Sequence, residues 1–512
     1  MMSAPAAPAG AAAAWRPLPV PRRSPWWVHG PLLAVLGLAG GILAIVLAHA
    51  PLKGQIAGLA ACVLLPVLLW LRGDKLITTG LAALLGLSVP INLRVNLFVE
   101  NHVGGAPSIT VTLTVLVVLL FWAVWLHRWL TGRLDTLLQI HRPIALALLL
   151  LLVLVLPSYA NAHYPKLFWL EWIRLLLLGA GLLAMMSLRE DRLVRVFCFG
   201  LSVQAVFQAG VALAQYGLKR ELGLGMLGEE PLVYQNIGIV QAYRATGTLG
   251  HPNVLAYFFE MLMPVLLGLA LTRQPAGWRL WYGFTFLCSL AGIFVTLTRG
   301  AWLTIPLSTL IVLWLVYGRR IVRVKAAVMA VMIAGGLLCA AFYAWPIIEK
   351  RFTHTDYKSS GSRMPLNLAA LSVIEKYPFV GVGLNNFAER FKIEDTTGHT
   401  RIFLNFKQLV HNMYLWIATE VGLIGLVGYM GLFVTTIVVA FRVAPRAPPV
   451  PRAVLVGIAA GLLAHLLHGL VDPGFRVSVQ NSYQIFFNMG IVGLLALQHG
   501  HKRSRWFARR SA

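Results

Sequence analysis

The sequence predicts an all-α polytopic membrane protein with about 12–14 transmembrane helices and a large external loop that contains amphipathic helices. Of the 512 residues, 58% are apolar and only 12% are charged, whereas soluble domains are nearer half apolar and a quarter charged. Unbroken apolar runs such as IALALLLLLVLVL at 144–156 exclude a transmembrane barrel, whose strands alternate apolar and polar residues. The composition also excludes a soluble enzyme, a disordered protein and a coiled coil.

A helix needs about 20 apolar residues to cross the bilayer, and the chain contains a series of runs near that length. The predicted spans lie at roughly 31–50, 55–71, 76–92, 109–127, 143–157, 167–187, 194–216, 252–271, 280–299, 301–317, 325–345, 411–440, 453–471 and 483–498. The implied domains are a disordered cytoplasmic tail over 1–30, an N-terminal transmembrane bundle over 31–345, an external loop with short helices over 346–410, C-terminal transmembrane helices over 411–498 and a basic cytoplasmic tail over 499–512.

Basic residues set the predicted orientation. The net charge is +25, and the connections at one end of the spans carry 25 Lys and Arg against eight at the other end, apart from the segment 346–410. Because Lys and Arg collect in cytoplasmic loops, both termini are predicted to be cytoplasmic. In a soluble protein this charge would suggest nucleic acid. In a membrane protein we expect no nucleic-acid partner, and part of the excess can meet membrane lipids or a phosphate.

Two long external segments, 217–251 and 346–410, stand out, because loops of this length in compact proteins are usually functional. Within the second, RMPLNLAALSVIEKY (363–377) has apolar residues at helical spacing. The spacing predicts a helix that lies on the outer membrane interface and that ends at Pro378. A second short helix is predicted from NNFAERF at 385–391.

Polar residues at the membrane edge are candidates for chemistry, because burying them in the bilayer is costly. Arg299 in TLTRGAW lies in a tight external turn, where it can bind a phosphate or only extend from a helix end towards water. Arg363 opens the predicted amphipathic helix and by itself fits a solvated charge. His411 lies where the chain re-enters the membrane; an imidazole there suits a general base or a helix cap.

Other charged groups within the spans have structural interpretations as well as functional ones. Glu260 lies near the middle of its span and must face protein or water, so a pair with a basic residue and a catalytic role are both open. Glu171 and Arg174 are three residues apart and are predicted to pair with each other.

Neither a metal nor a cofactor is predicted. His465, His468 and Asp472 share one helix face at spacing that can bind a metal, but no further strong ligand cluster accompanies them. The four cysteines lie inside apolar runs and fit small buried apolar residues. The chain has no Walker loop, no GxGxxG before a helix and no CxxC pair, which argues against a nucleotide-driven activity.

Three stretches resemble the O-antigen ligase and polymerase family of bacterial envelopes. They are GTLGHPNVLAYFFEMLMP (247–264), TLTRGAW (296–302) and a run over 362–429 that contains YPFVGVGLNNF and VHNMYLWIATEVGLIGLVGY. The similar region covers about 247–430, and residue order and spacing fit most specifically over 362–429. The candidate residues at matching positions are Asn253, Arg299, Arg363, Asn386, His411, Asn412 and Glu420.

The resemblance implies a metal-independent glycosyltransferase that moves a glycan from undecaprenyl pyrophosphate to an acceptor hydroxyl at the periplasmic face of the bacterial inner membrane. It implies that His411 activates or orients the hydroxyl and that Arg299 and Arg363 hold the donor pyrophosphate. A metal is not required, because pyrophosphate is a good leaving group and guanidinium groups can offset its charge. The supporting positions implied are Asn253, Asn386, Asn412 and Glu420.

Several functions share these features. A ligase transfers the polymer to lipid A-core, whereas a polymerase of O-antigen or exopolysaccharide joins lipid-linked repeat units. We place the ligase first and the polymerase close behind, because the same motif serves both. A transporter or flippase of lipid-linked glycans also explains many spans and a basic cavity. Against it, the chain shows no duplicated half with matched broken helices, the usual mark of inverted repeats.

Overall fold

The computed structural model describes residues 74–237, 240–317, 363–394 and 409–500. This part contains thirteen α-helices and two antiparallel β-hairpins. The helices are α1 (Asp74–Ser88), α2 (Leu113–Leu130), α3 (Arg142–Leu154), α4 (Pro165–Met186), α5 (Asp191–Leu218), α6 (Pro252–Leu271), α7 (Ala276–Thr296), α8 (Arg299–Val312), α9 (Arg363–Lys376), α10 (Phe387–Glu394), α11 (Met413–Val443), α12 (Pro449–His468) and α13 (Val479–His499). The strands are β1 (Arg94–Leu97), β2 (Ile109–Thr112), β3 (Val233–Ile237) and β4 (Val240–Arg244).

Within the described residues, nine helical stretches are long and apolar enough to cross a membrane, and each coincides with a predicted span. The spans predicted at 31–50, 55–71 and 325–345 lie outside the described residues. Two predicted spans differ: α1 has only 15 residues, and α13, although 21 residues long, is not among the nine because polar side chains occupy its first half. The structure confirms an all-α polytopic membrane protein.

Helix α13 lies inside the bundle, where the side-chain amide N–H groups of Gln480, Asn481 and Gln484 find acceptors. Gln480 donates to the Asn92 side chain at 2.7 Å, and Asn481 donates to the carbonyl oxygen of Val254 at 3.1 Å. Nearly all of its residues are buried in the protein. Buried amide groups that are hydrogen-bonded avoid the cost of desolvation, so this helix does not need the apolarity of a lipid-facing span.

Helix α6 forms the centre of the bundle, and nearly all of its residues are buried. It begins at Pro252, a position where a helix needs no N–H donor. Helix α12 approaches it closely through Gly457 and Gly461, and a Cβ at Gly461 would lie 3.0 Å from the carbonyl oxygen of Met261. Small residues allow such close approach between membrane helices. The C-terminal part of α12 is thereby fixed beside α6.

The segments predicted to be external meet at one end of the bundle. The hairpin of β1 and β2 is joined to the segment before β3 by an ion pair of Arg94 with Glu230 at 2.9 Å. Hydropathy places residues 109–112 in a predicted span, but they form β2, and the helix begins only at Leu113. The physical reason is a helix cap, because Thr112 accepts a hydrogen bond from the backbone N–H of Val115 at 3.2 Å.

The two helices predicted in the second external segment are present as α9 and α10. Helix α9 ends at Lys376, before Pro378 as predicted. Leu366, Ala370 and Val373 are buried in a cluster shared with α10 and α11, so this face packs on protein. Leu371, on another face of α9, is 45% exposed. A position of that face on the outer membrane interface stays a prediction.

Helix α11 is interrupted at Gly422, where φ is 66° and ψ is −176°. The turn that follows α9 forms backbone hydrogen bonds with residues of α11 on both sides of Gly422. Val382 N donates to the carbonyl oxygen of Thr419 at 2.9 Å, and Leu423 N donates to that of Pro378 at 2.8 Å. Backbone groups at membrane depth must be satisfied by protein. The external segment therefore replaces the helical bonds that the interruption removes.

We expect Gly422→Ala to lower the free energy of unfolding in detergent micelles by about 3 kcal/mol or more, because a side chain is strained at this φ and its Cβ would overlap the backbone of Phe379. Gly431→Ala is the control, since no described atom lies within 4 Å of a Cβ there; its effect should stay within about 1 kcal/mol. Equal effects of the two substitutions would contradict the role of the interruption.

Candidate active site

Glu420 joins helix α11 to the segment that follows α9. Its buried carboxylate accepts hydrogen bonds from Asn385 N and from Trp416 Nε1, each at 2.9 Å. Arg476, in the connection between α12 and α13, donates to the same carboxylate at 2.6 Å. Both oxygens are thus occupied by scaffold donors, and Glu420 acts on the site through the segments that it holds.

Arg476 and Glu420 belong to a buried group of four charges. The predicted pair of Glu171 with Arg174 is confirmed at 2.5 Å, and Arg476 lies 3.3 Å from Glu171. Its guanidinium carbon also lies 4.2 Å from the ring centroid of Trp416. Two carboxylates balance two guanidinium groups, which allows ionised groups to be buried. Local spacing could not reveal the role of Arg476, because it lies 56 residues from Glu420.

Asn385 and Asn386 connect this segment to loops at the same end of the bundle, and both are fully buried. The side chain of Asn385 donates to Ala106 O at 2.8 Å and accepts from Gly105 N at 3.0 Å. The side chain of Asn386 accepts from Tyr164 N at 2.8 Å. The structure therefore places Asn386, a predicted supporting residue, in the scaffold.

Glu420→Gln should lower the free energy of unfolding in micelles by about 3–5 kcal/mol, because a buried guanidinium loses a charged partner. Glu230→Gln removes a carboxylate from an exposed ion pair with Arg94 and should cost less than about 1 kcal/mol. Chemical denaturation of both variants tests this. A loss at Glu420 no larger than that at Glu230 would show that the buried group is not a stabilising element.

His411 lies just before α11 and is partly buried. Its Nδ1 lies 3.1 Å from the carbonyl oxygen of Leu409. Because a carbonyl only accepts, Nδ1 carries the hydrogen, and Nε2 of the neutral ring keeps its lone pair. Asn412 fixes this position: its side chain accepts from Tyr414 N at 3.0 Å and donates to Leu470 O at 3.1 Å.

The environment of His411 keeps its ring neutral. Burial lowers the pKa of His411 below its ordinary value, Asp472 and the Leu409 carbonyl oppose this, and Arg363 lowers the pKa further. The net direction is down, so the imidazole can accept a proton at neutral pH. Arg363 is partly buried at the start of α9. The structure thus brings two predicted site residues within electrostatic range of each other.

Asp472 links His411 to a second predicted residue. Its carboxylate accepts from Asn253 Nδ2 at 2.7 Å and from the hydroxyl of Tyr257 at 2.6 Å. Asn253 Oδ1 in turn accepts from Arg244 Nη2 at 2.7 Å. Asn253, predicted only as a supporting residue, therefore connects an arginine to the carboxylate that acts on His411.

Arg244 is a functional candidate that sequence spacing does not single out. It ends β4 and is 8% exposed. Its Nε donates to Thr296 O at 2.9 Å, and its Nη2 donates to Thr298 Oγ1 at 3.2 Å. Thr298 immediately precedes Arg299, so Arg244 is hydrogen-bonded to the turn that leads into Arg299. The sequence offered one indication of Arg244: it lies three positions before Gly247, where the region that resembles the family begins.

Arg299 begins α8 at this end of the bundle and is partly buried. The adjacent Gly300 packs directly on His468, because a Cβ at Gly300 would overlap the imidazole. His468 Nδ1 lies 2.7 Å from the carboxylate of Glu260. Glu260 therefore has a basic partner, one of the two interpretations open from the sequence, and this pair supports the turn that carries Arg299.

The histidines of α12 do not assemble the metal site that their spacing permits. The helix ends at His468; this residue bonds to Glu260, whereas Asp472 is occupied by Asn253 and Tyr257. Among the residues that the structure describes, no group of three or more His, Cys, Asp or Glu side chains is arranged to hold a metal ion.

Residues 284–430 match the family model described as O-antigen ligase (Wzy_C). No curated protein matches the chain. The matched region includes Arg299, Arg363 and His411. Arg244 and Asn253 lie before its first residue. The match confirms the resemblance to the O-antigen ligase family and supports an O-antigen ligase or polymerase type of activity in a multi-pass membrane protein.

Proposed function

From this family match and the geometry around His411, we propose an O-antigen ligase-type glycosyltransferase. The donor is a glycan on undecaprenyl pyrophosphate, and the acceptor is a hydroxyl of lipid A-core. The reaction takes place at the periplasmic face of the bacterial inner membrane, with both termini cytoplasmic and without a metal. The observation that carries the proposal is the position of His411, whose Nδ1 lies 3.1 Å from Leu409 O and whose ring lies within electrostatic range of Arg363 and Asp472.

In the proposed reaction His411 is the general base. The acceptor oxygen attacks the anomeric carbon of the donor sugar, and the bond from that carbon to the pyrophosphate oxygen breaks. The hydroxyl proton moves to Nε2 of His411, and undecaprenyl pyrophosphate leaves with the bonding electron pair. Asp472 stabilises the imidazolium that forms, since a nearby carboxylate favours the charged ring.

Three arginines are proposed to hold the donor pyrophosphate. Arg299 and Arg363 follow from the family resemblance, and the structure adds Arg244, which is hydrogen-bonded to the residue before Arg299. Guanidinium groups bind phosphate oxygens with paired N–H donors and stay charged at all relevant pH values. Groups fixed by the scaffold can offset the charge that develops on the leaving pyrophosphate.

The alternatives to a ligase differ in whether they transfer the glycan and in the acceptor that they use. A polymerase would use a second lipid-linked repeat unit at the same site and needs no different catalytic residue. A transporter of lipid-linked glycans needs no base. The charged candidates Arg244, Arg299, Arg363 and His411 gather at one end of the bundle, which favours an enzyme whose reaction occurs at that membrane surface.

Purified protein in nanodiscs, given a lipid-linked glycan with or without lipid A-core and with EDTA throughout, tests the proposal. We expect product only with lipid A-core. His411→Ala and Arg299→Gln should each lower kcat/KM at least about 100-fold, whereas Arg94→Gln, on the exposed hairpin, should stay within about twofold. Longer lipid-linked glycans without lipid A-core would identify a polymerase. Donor redistribution across the bilayer without product would identify a transporter.

The pH dependence of kcat/KM reports on His411 in the free enzyme. Because the pKa of His411 is lowered, activity should fall with a midpoint below about 6.5 as the pH is lowered. Arg363→Gln removes a charge that lowers this pKa, so the midpoint should move to higher pH. Arg94→Gln should leave it in place. A midpoint that moves to lower pH in Arg363→Gln would argue against His411 as the base.

A further inference from the structure

A cavity of about 350 Å³ lies at the end of the bundle opposite to the candidate active site. It is bounded by the starts of α5 and α12, the connection between α6 and α7, and α13. Helix α12 runs from Pro449 at the cavity to His468 near the site, and its 20 residues measure about 30 Å. This separation matches the thickness of the hydrocarbon core of a bilayer, about 30 Å.

Two arginine side chains border the cavity without a hydrogen-bonded or ion-paired partner in the part of the chain that the structure describes. Arg195 lies on the first turns of α5, Arg273 lies between α6 and α7, and both are exposed. Neither has a hydrogen bond or an ion pair with a described residue. The carboxylate of Asp191 also lines the cavity, but it is hydrogen-bonded to His499 Nε2 at 3.0 Å. The cavity lining thus holds two guanidinium groups against one carboxylate, which leaves it net positive.

The rest of the cavity combines an apolar wall with a stiff rim. Val194, Val454 and Leu495 form the wall. Prolines at 448, 449 and 451 form part of the rim, where their fixed φ limits backbone motion. The chemistry fits a ligand that is anionic on one side and apolar on the other.

We infer that this cavity binds the phosphate headgroup of an anionic phospholipid from the leaflet opposite to His411. Arg195 and Arg273 supply guanidinium donors for phosphate oxygens, and the apolar wall receives the start of the acyl chains. Basic pockets between membrane helices recognise lipid headgroups on the cytoplasmic side, and the charge bias of the sequence predicts that these connections are cytoplasmic. The site is independent of the proposed transferase activity.

Titration of the full-length protein in detergent with phosphatidylglycerol and with phosphatidylcholine of identical acyl chains, followed by native mass spectrometry, tests this. We expect preferential binding of phosphatidylglycerol. The double variant Arg195→Gln/Arg273→Gln should bind it roughly 30-fold more weakly. Arg192→Gln is the matched control, because Arg192 lies on the same helix end but contacts Glu190 at 3.5 Å; its binding should stay within about twofold.

Three results would overturn the inference. The first is equal binding of both lipids, and the second is unchanged phosphatidylglycerol binding in the double variant. The third is displacement of phosphatidylglycerol by millimolar inorganic phosphate, which would show that the cavity binds a free anion. Melting temperatures in phosphatidylcholine separate loss of binding from loss of fold. If the double variant does not fold, the single variants replace it, and each should weaken phosphatidylglycerol binding roughly fivefold.

Discussion

The buried contact between Glu420 and Arg476 is the constraint on which the candidate site depends. A carboxylate inside a membrane helix is costly unless its charge and its lone pairs are satisfied. Glu420 meets this requirement with Arg476 from the connection before α13 and with Asn385 N from the external segment. The same contact therefore sets three elements against each other. It also explains how a segment outside the helices can hold a fixed position at the membrane surface.

The interruption of α11 at Gly422 completes this arrangement. A continuous helix would satisfy its own backbone and offer nothing to the external turn. The interrupted helix exposes the carbonyl group of Thr419, and Val382 N occupies it. Glu420 and Gly422 thus act together: the Glu420 carboxylate accepts a hydrogen bond from Asn385 N, and the interruption at Gly422 frees helix backbone groups that bond to the same segment. Arg363 begins α9, which leads into the turn so held, and His411 lies just before α11, and the two come within electrostatic range of each other.

Helices α6 and α12 position the remaining basic residues of the site, Arg244 and Arg299. Close packing of α12 on α6 places His468 against Glu260 and against the turn that carries Arg299. Asp472, just beyond α12, is bonded to Asn253 at the start of α6. A single helix pair thereby supports both the arginines and the carboxylate that acts on His411, while its opposite end borders the lipid cavity. The bilayer thickness separates the two sites, so they can bind different molecules independently.

Hydropathy and local spacing determined the nine spans of the described residues, the end of α9 before Pro378 and the pair of Glu171 with Arg174, because each depends on residues within a few turns of one helix. The family resemblance named His411, Arg299 and Arg363. Only the tertiary structure decided the partners of Glu420, the position of Arg244 and the scaffold role of Asn386. These contacts join residues far apart in the chain, and the periodicity of one helix carries no information about which distant backbone or side chain will meet it.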